Sequence, residues 1–262
     1  MRKPLALILL ATSACAPAAG DGIDLANSEM VDLTHAFNAQ TIYWPTSTTA
    51  FRHDSLAWGM TPGGYFYSSF SLSTPEHGGT HLDAPIHFAE GGQAAEAIPL
   101  SRLVASAVVI DVSAKATADY QLTVDDVTAF EREHGQIAAG TIVLLRTGWS
   151  RHWPDRRAYL GDDTPGDASK LQFPSFGADA ARLLVEERRV AALGADVASI
   201  DHGASTDFQV HRIAGTANVP GFENLTNLDR LPPTGATVIA LPMKIEGGSG
   251  GPLRAIALVP QR

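Results

Sequence analysis

The chain has 262 residues, 45% of them hydrophobic and 18% charged, with a formal net charge of −9. That length can bury a full core in one α/β domain, and a composition without low-complexity tracts or repeats is that of a globular protein. The acidic balance excludes a nucleic-acid partner, since no basic stripe exists to meet phosphates.

Arg2 and Lys3 precede an apolar run from Pro4 to Ala11, and small residues continue through Ala19. Residues 1–19 therefore have the layout of a secretory signal, and the run is too short to span a bilayer. Cys15, the single cysteine, sits in Thr12-Ser13-Ala14-Cys15, which resembles a bacterial lipoprotein cleavage site. Thr12 departs from the usual leucine there, so ordinary cleavage near Ala18-Ala19 is the alternative. The expected location is exported and periplasmic, with a lipid at Cys15 the only expected membrane contact. Residues 20–27 suit a flexible tether. Residues 28–262 form the domain, which holds no cysteine and so no disulfide.

Val31 and Leu33 alternate with polar neighbours and predict a first strand ending near His35. An irregular stretch containing Tyr43-Trp44-Pro45 follows. Phe66, Phe70 and Leu72 recur with even spacing, so a strand over 65–74 delivers the chain to His77. Residues 107–112 read as a short buried strand. Thr123 and Asp126 resemble a capping box, opening a helix of about eleven residues that Gly135 ends. Residues 141–146 form a second buried strand, and the charged, Gly- and Pro-rich residues 151–174 predict a long surface excursion. Ser175 is expected to cap a helix with Ala178, Ala181, Leu184 and Val185 on one face. Strands follow at 190–200, 236–245 and 253–259. This order predicts a single α/β domain with mixed sheets rather than a doubly wound parallel one.

Residues 77–87 read His-Gly-Gly-Thr-His-Leu-Asp-Ala-Pro-Ile-His. Gly78-Gly79 and Pro85 forbid a helix, so His77, His81, Asp83 and His87 must come from an extended loop able to wrap an ion. Imidazole and carboxylate donors suit zinc, manganese or iron. The plain alternative is a histidine-rich surface loop. Downstream, His211 and Glu223 are the candidates to complete a metal site, although each reads equally well as a solvated surface group. Asp201, His202 and Ser205 do not make a serine-hydrolase triad, because no Gly-x-Ser-x-Gly elbow occurs. Asp201 and Ser205 are expected to order the loop instead. His35, His53, His134 and His152 are expected outside the site. The glycine-rich residues 247–251 precede a strand rather than a helix, which argues against a phosphate cradle.

The segment His77-Gly-Gly-Thr80-His81-Leu-Asp83-Ala-Pro85-Ile-His87 resembles the His-x-Gly-Thr-His-x-Asp-x-Pro-x-His signature of the metal-dependent cyclase family, which includes bacterial kynurenine formamidases and isatin hydrolases. Trp44-Pro45, His211, Glu223-Asn224-Leu225 and the last strands extend the likeness. It implies a swivelling β/β/α architecture and a homo-oligomer, dimer or larger. It also implies two divalent ions, zinc with manganese as the alternative. His77, His81 and Asp83 would hold one, Asp83 and His211 the other, and Glu223 would join or bridge them. Isatin hydrolases, by the same resemblance, lack the late glutamate and use one manganese, so Glu223 tilts the chain towards the formamidase form.

The chemistry implied is hydrolysis of an aryl amide by metal-activated water. Arylformamidase is the nearest named activity, turning N-formylkynurenine and water into kynurenine and formate. Hydrolysis of isatin or of a lactone is the alternative, and a periplasmic metal- or ligand-binding protein is the rival of another class. His87 is the expected proton shuttle, since an imidazole pKa of roughly 6.5 suits transfer in both directions; a further metal ligand is its other reading. Trp44 would stack on an aromatic substrate or simply pack.

Overall fold

The computed structural model describes residues 25–261. The expected signal, Cys15 and most of the tether lie outside the described residues. The strands are β1 Ser28–Asp32, β2 Arg52–Met60, β3 Phe66–Ser73, β4 His81–Asp83, β5 Val104–Asp111, β6 Gln121–Leu122, β7 Ile142–Arg146, β8 Ser175–Phe176, β9 Ala192–Ala195, β10 Gly221–Glu223, β11 Thr234–Pro242 and β12 Gly250–Pro260. The helices are α1 Leu100–Leu103, α2 Val124–His134, α3 Arg156–Leu160, α4 Ala178–Arg182 and α5 Gln209–Thr216.

The main sheet runs β1-β12-β11-β5-β7-β9-β10-β4, and β12 pairs with β4 as well. That pairing closes β12, β11, β5, β7, β9, β10 and β4 into a barrel, leaving β1 beside the C-terminal half of β12. The sheet is mixed as expected: β5, β7, β9 and β10 run parallel, and the rest pair antiparallel.

The strand periodicity of two explains why the central strands read as unbroken apolar runs. Val109, Ile142, Leu144 and Ala192 point into the barrel with Leu82, Phe222, Val238 and Ala255. Their neighbours Val108, Ile110, Val143, Leu145 and Leu193 point outward into a second core with Val127, Phe130, Ala181 and Leu184 of the helical layer. Both faces are dry, so no polar alternation survives in the sequence.

The expected capping box is present. Thr123 accepts from the Asp126 amide at 3.2 Å, the Asp126 carboxylate accepts from the Thr123 amide at 2.8 Å, and Gly135 ends α2 at φ 90°. Elsewhere the structure corrects the expectations. Ser175 caps no helix: it lies in β8, and its hydroxyl donates to the Ser199 and Ile200 carbonyls. The following helix is one short α-helical stretch that widens into a π turn over Leu183–Glu187. The strand expected over 190–200 is only β9, because residues 196–200 leave the sheet towards the site. Residues 151–174 are largely a surface excursion, as expected, but Tyr159, Leu160, Leu171 and Phe173 are fully buried and anchor it in the core. The irregular stretch before β3 contains β2, its hairpin partner, and this hairpin stands clear of the barrel with most of its residues exposed. Among the described residues no helix is long and apolar enough to cross a membrane.

Candidate metal centre

In the antiparallel ladder of β4 and β10, Glu223 lies opposite His81 and Gly221 opposite Asp83. Leu82 and Phe222 point into the barrel, so by alternation His81, Asp83 and Glu223 share the opposite face. Their side chains meet there. His81 Nε2 lies 3.1 Å from Asp83 Oδ1 and 3.5 Å from Glu223 Oε2. His211, from α5, brings its Nε2 to 2.8 Å from Asp83 Oδ2 and 3.2 Å from Glu223 Oε1. His77 enters from the loop after β3, with Nδ1 2.6 Å from Asp83 Oδ1. His87, in a 3-10 turn over Pro85–His87, stacks on His77 with ring centroids 3.8 Å apart and planes 17° apart.

Three of these histidines are held from behind. His81 Nδ1 meets the Gly79 carbonyl at 2.9 Å, an acceptor only, so Nδ1 carries the proton and Nε2 faces the carboxylates. His211 Nδ1 lies 2.7 Å from Asp201 Oδ2, which also accepts the His211 amide, while Oδ1 accepts the Val210 amide. Asp201 thus holds the first amides of α5 and orients the candidate ligand His211 at once, ordering this loop. His77 Nε2 lies 2.9 Å from Ser249 Oγ, whose hydroxyl donates to Glu76. This contact requires Gly250, where a Cβ would come within 2.6 Å of the His77 ring. His87 makes no such hydrogen bond among the described residues.

The electrostatics follow from crowding acids and imidazoles in a dry site. Burial raises the Asp83 pKa, but His77, His81 and His211 pull it well below the carboxylate range. Burial lowers His81, yet Asp83, Glu223 and the Gly79 carbonyl raise it to about 9. Burial and the charge of Asp83 together push Glu223 up. His87 departs from its expected value: burial, with the neighbouring histidines, lowers it to about 4 against the pull of Asp83, so the imidazole is neutral at pH 7.

The donor set fits divalent ions. Buried carboxylates converge with imidazoles whose outward nitrogens are already committed to partners, the usual back-support of a ligating histidine. Two donor groups share Asp83: His77, Asp83 and His87, and His81, Asp83 and Glu223. The first group adds His87, expected as a proton shuttle, to His77 and Asp83, while His211 lies against both Asp83 and Glu223. All six residues nonetheless line one cavity of about 250 Å³, together with Trp44. Sequence reasoning missed most of its apolar wall: Ile42, Tyr43, Phe88, Leu160 and Phe208. Their only signal was apolarity, which core residues share. His35, His53, His134 and His152 lie outside this cavity, as expected.

A model of the Cyclase family matches residues 31–202. The isatin hydrolase of Roseibium aggregatum is 37% identical over 208 residues, covering 76% of this chain and 77% of its own. The kynurenine formamidase of Salinibacter ruber is 30% identical over 237 residues, covering 87% and 96%. The solved isatin hydrolase A of Ralstonia solanacearum superposes with a TM-score of 0.77 at 36% identity, covering 89% of this chain and 92% of that one. The barrel, the motif from His77 to His87 and these likenesses agree: the chain belongs to the Cyclase family of metal-dependent hydrolases.

Proposed function

We propose that this hydrolase opens the C–N bond of a small, neutral aromatic cyclic amide of the isatin type. One observation carries the choice: beyond the candidate ligands the cavity is lined mainly by Ile42, Tyr43, Trp44, Phe88, Leu160 and Phe208, with no lysine or arginine among the lining residues. N-formylkynurenine carries an ionised amino-acid group, and a carboxylate taken from water without a cationic partner is strongly disfavoured. Isatin carries no formal charge. Glu223 pulled the sequence reading towards the formamidases, but the wall of the cavity outweighs a single ligand. The isatin hydrolase relative, at 37% identity against 30% for the formamidase, supports the same choice.

The proposed ligands are His77, His81, Asp83, His211 and Glu223, holding two zinc ions, with manganese as the alternative. Bound ions there would lower the pKa of water from about 15.7 towards 7 and polarise the substrate carbonyl. The chain's own residues do the remainder. Trp44, packed edge-on to Phe173 with ring centroids 6.3 Å apart, offers a fixed ring to orient the substrate with Phe88 and Phe208. His87, neutral and unanchored at the cavity, takes the proton of the attacking water and returns it to the departing nitrogen. The test is kcat/KM of metal-loaded protein on isatin, N-formylkynurenine and a simple aryl lactone, with metal counted by mass spectrometry. Isatin should be preferred. Faster formate release from N-formylkynurenine would overturn the proposal in favour of arylformamidase.

We also propose a homo-oligomer. Trp58, Met60, Phe66, Phe70 and Leu72 lie on one face of the β2–β3 hairpin, and Trp58 is 71% exposed. A lone two-stranded hairpin is marginal in water, so cover by a second copy supports this reading. Light scattering that finds a monomer at micromolar concentration would sink it. Export with a lipid at Cys15 rests on residues 2–19 alone; fractionation of wild type and Cys15→Ser tests it, and a soluble wild type refutes lipidation.

A further inference from the structure

Asn224 follows the candidate ligand Glu223 and is buried, with every polar group engaged. Its amide donates to the Val197 carbonyl at 2.8 Å, and its carbonyl accepts the Thr80 hydroxyl at 2.6 Å. Its side-chain Nδ2 donates to the Gly79 carbonyl at 2.8 Å, and its Oδ1 accepts the hydroxyl of fully buried Tyr159 at 3.0 Å. The amide can face only one way, because Gly79 O accepts and never donates. The backbone of Asn224 is left-handed at φ 54°, a conformation asparagine tolerates better than other residues with a Cβ.

The Gly79 carbonyl is the same atom that meets His81 Nδ1. Gly79 is itself left-handed, at φ 58°, with the Phe37 ring where a Cβ would stand. A continuous chain therefore runs from the Tyr159 hydroxyl through the Asn224 amide and the Gly79 carbonyl to the imidazole of His81. We infer that Tyr159 and Asn224 are positioning residues for the metal centre, fixing the Gly79 carbonyl so that His81 keeps its proton on Nδ1 and presents Nε2 to the ion. This rests on the proposed ligand set. It assigns a task in metal binding to a tyrosine whose hydroxyl is not among the ligands, carried by the excursion that the sequence placed on the surface.

Asn224→Asp keeps the shape and the left-handed backbone but replaces the donor to Gly79 with an acceptor. Tyr159→Phe removes one oxygen and nothing else. Zinc and manganese affinities of each purified protein, read by competition with a chromophoric chelator, should fall about 10- to 100-fold in Asn224→Asp. Tyr159→Phe should lose less, and the double variant no more than Asn224→Asp, because the two act in series. Nitrogen-15 shifts of the metal-free protein, taken above the His81 pKa of about 9 so that the ring is neutral, should report a firm Nδ1–H tautomer for His81 in wild type and a mixture in Asn224→Asp. Variants that melt at lower temperature yet bind metal with wild-type affinity overturn the inference, since a purely structural role gives that result. If Asn224→Asp fails to fold, Tyr159→Phe alone decides. A wild-type protein that takes up neither metal refutes the ligand set itself, a distinct result from variants that match a metal-binding wild type.

Discussion

Replacing Asp201 by asparagine tests whether the support behind His211 matters for the ion. Oδ2 of Asp201 holds both the amide and Nδ1 of His211, at 3.0 and 2.7 Å, and Oδ1 holds the Val210 amide at 3.0 Å. An asparagine has one acceptor oxygen. Keeping it on His211 turns the amide group towards the Val210 N–H, leaving a buried donor unpaired at a cost of about 1–3 kcal/mol in stability. The bond to His211 survives as a neutral one, roughly half as strong as the charge-assisted original. Loss of such a back-support costs about 10- to 100-fold in metal affinity, or about 1.4–2.8 kcal/mol. A contrary effect limits the loss. Burial lowers the His211 pKa, but Asp201, Asp83 and Glu223 hold it well above the imidazole value, so removing the Asp201 charge eases displacement of the proton by metal. The expected net change at pH 7 is near the tenfold end. Chelator competition on metal-free protein measures it, with thermal melts alongside. Unchanged affinity with a lowered melting temperature would show that Asp201 only caps α5 and would refute the reasoning.

Replacing His87 by alanine should leave metal bound and lower kcat by about 10²- to 10⁴-fold; loss of metal would make His87 a ligand in the group it forms with His77 and Asp83. Leu144, fully buried in the barrel, should cost about 2–5 kcal/mol as alanine, read from denaturant melts, and a change below 1 kcal/mol would mean that the barrel interior collapses around the gap. Burial raises the Asp126 pKa, but Lys115, Tyr120 and Thr123 bring it down to about 2. A depressed carboxylate stabilises the folded state above its ordinary value of 3.8 and loses that contribution as pH falls towards 2. Asp126→Asn should therefore lower the melting temperature at pH 7 and converge on wild type near pH 2. A deficit independent of pH would place the effect in the cap geometry rather than the charge.

Local chemistry was legible in the sequence wherever a feature depends on neighbouring residues. The glycines and proline between His77 and His87 dictated an extended loop, Thr123 and Asp126 closed their capping box, and the β-branched runs of β5 and β7 declared themselves as buried strands. What the sequence could not declare arises between distant segments. β2 was missed because a bulge between Ser55 and Ala57 interrupts its alternation, while its partner β3 keeps an even spacing of Phe66, Phe70 and Leu72. Ser175 looked like a helix cap because a serine hydroxyl serves a β-loop carbonyl equally well. The excursion over 151–174 looked like surface because charge and glycine dominate its composition, although Tyr159 and Leu160 anchor it in the core. His211 and Glu223 had even odds as solvated groups until the β4–β10 register set Glu223 opposite His81 and Asp201 turned His211 inward. The residue types fix which ions and which proton transfers the site can support. Only the β4–β10 pairing and the packing of α5 bring His77, His81, Asp83, His211 and Glu223 within hydrogen-bonding distance, because burial and register are properties of the folded chain.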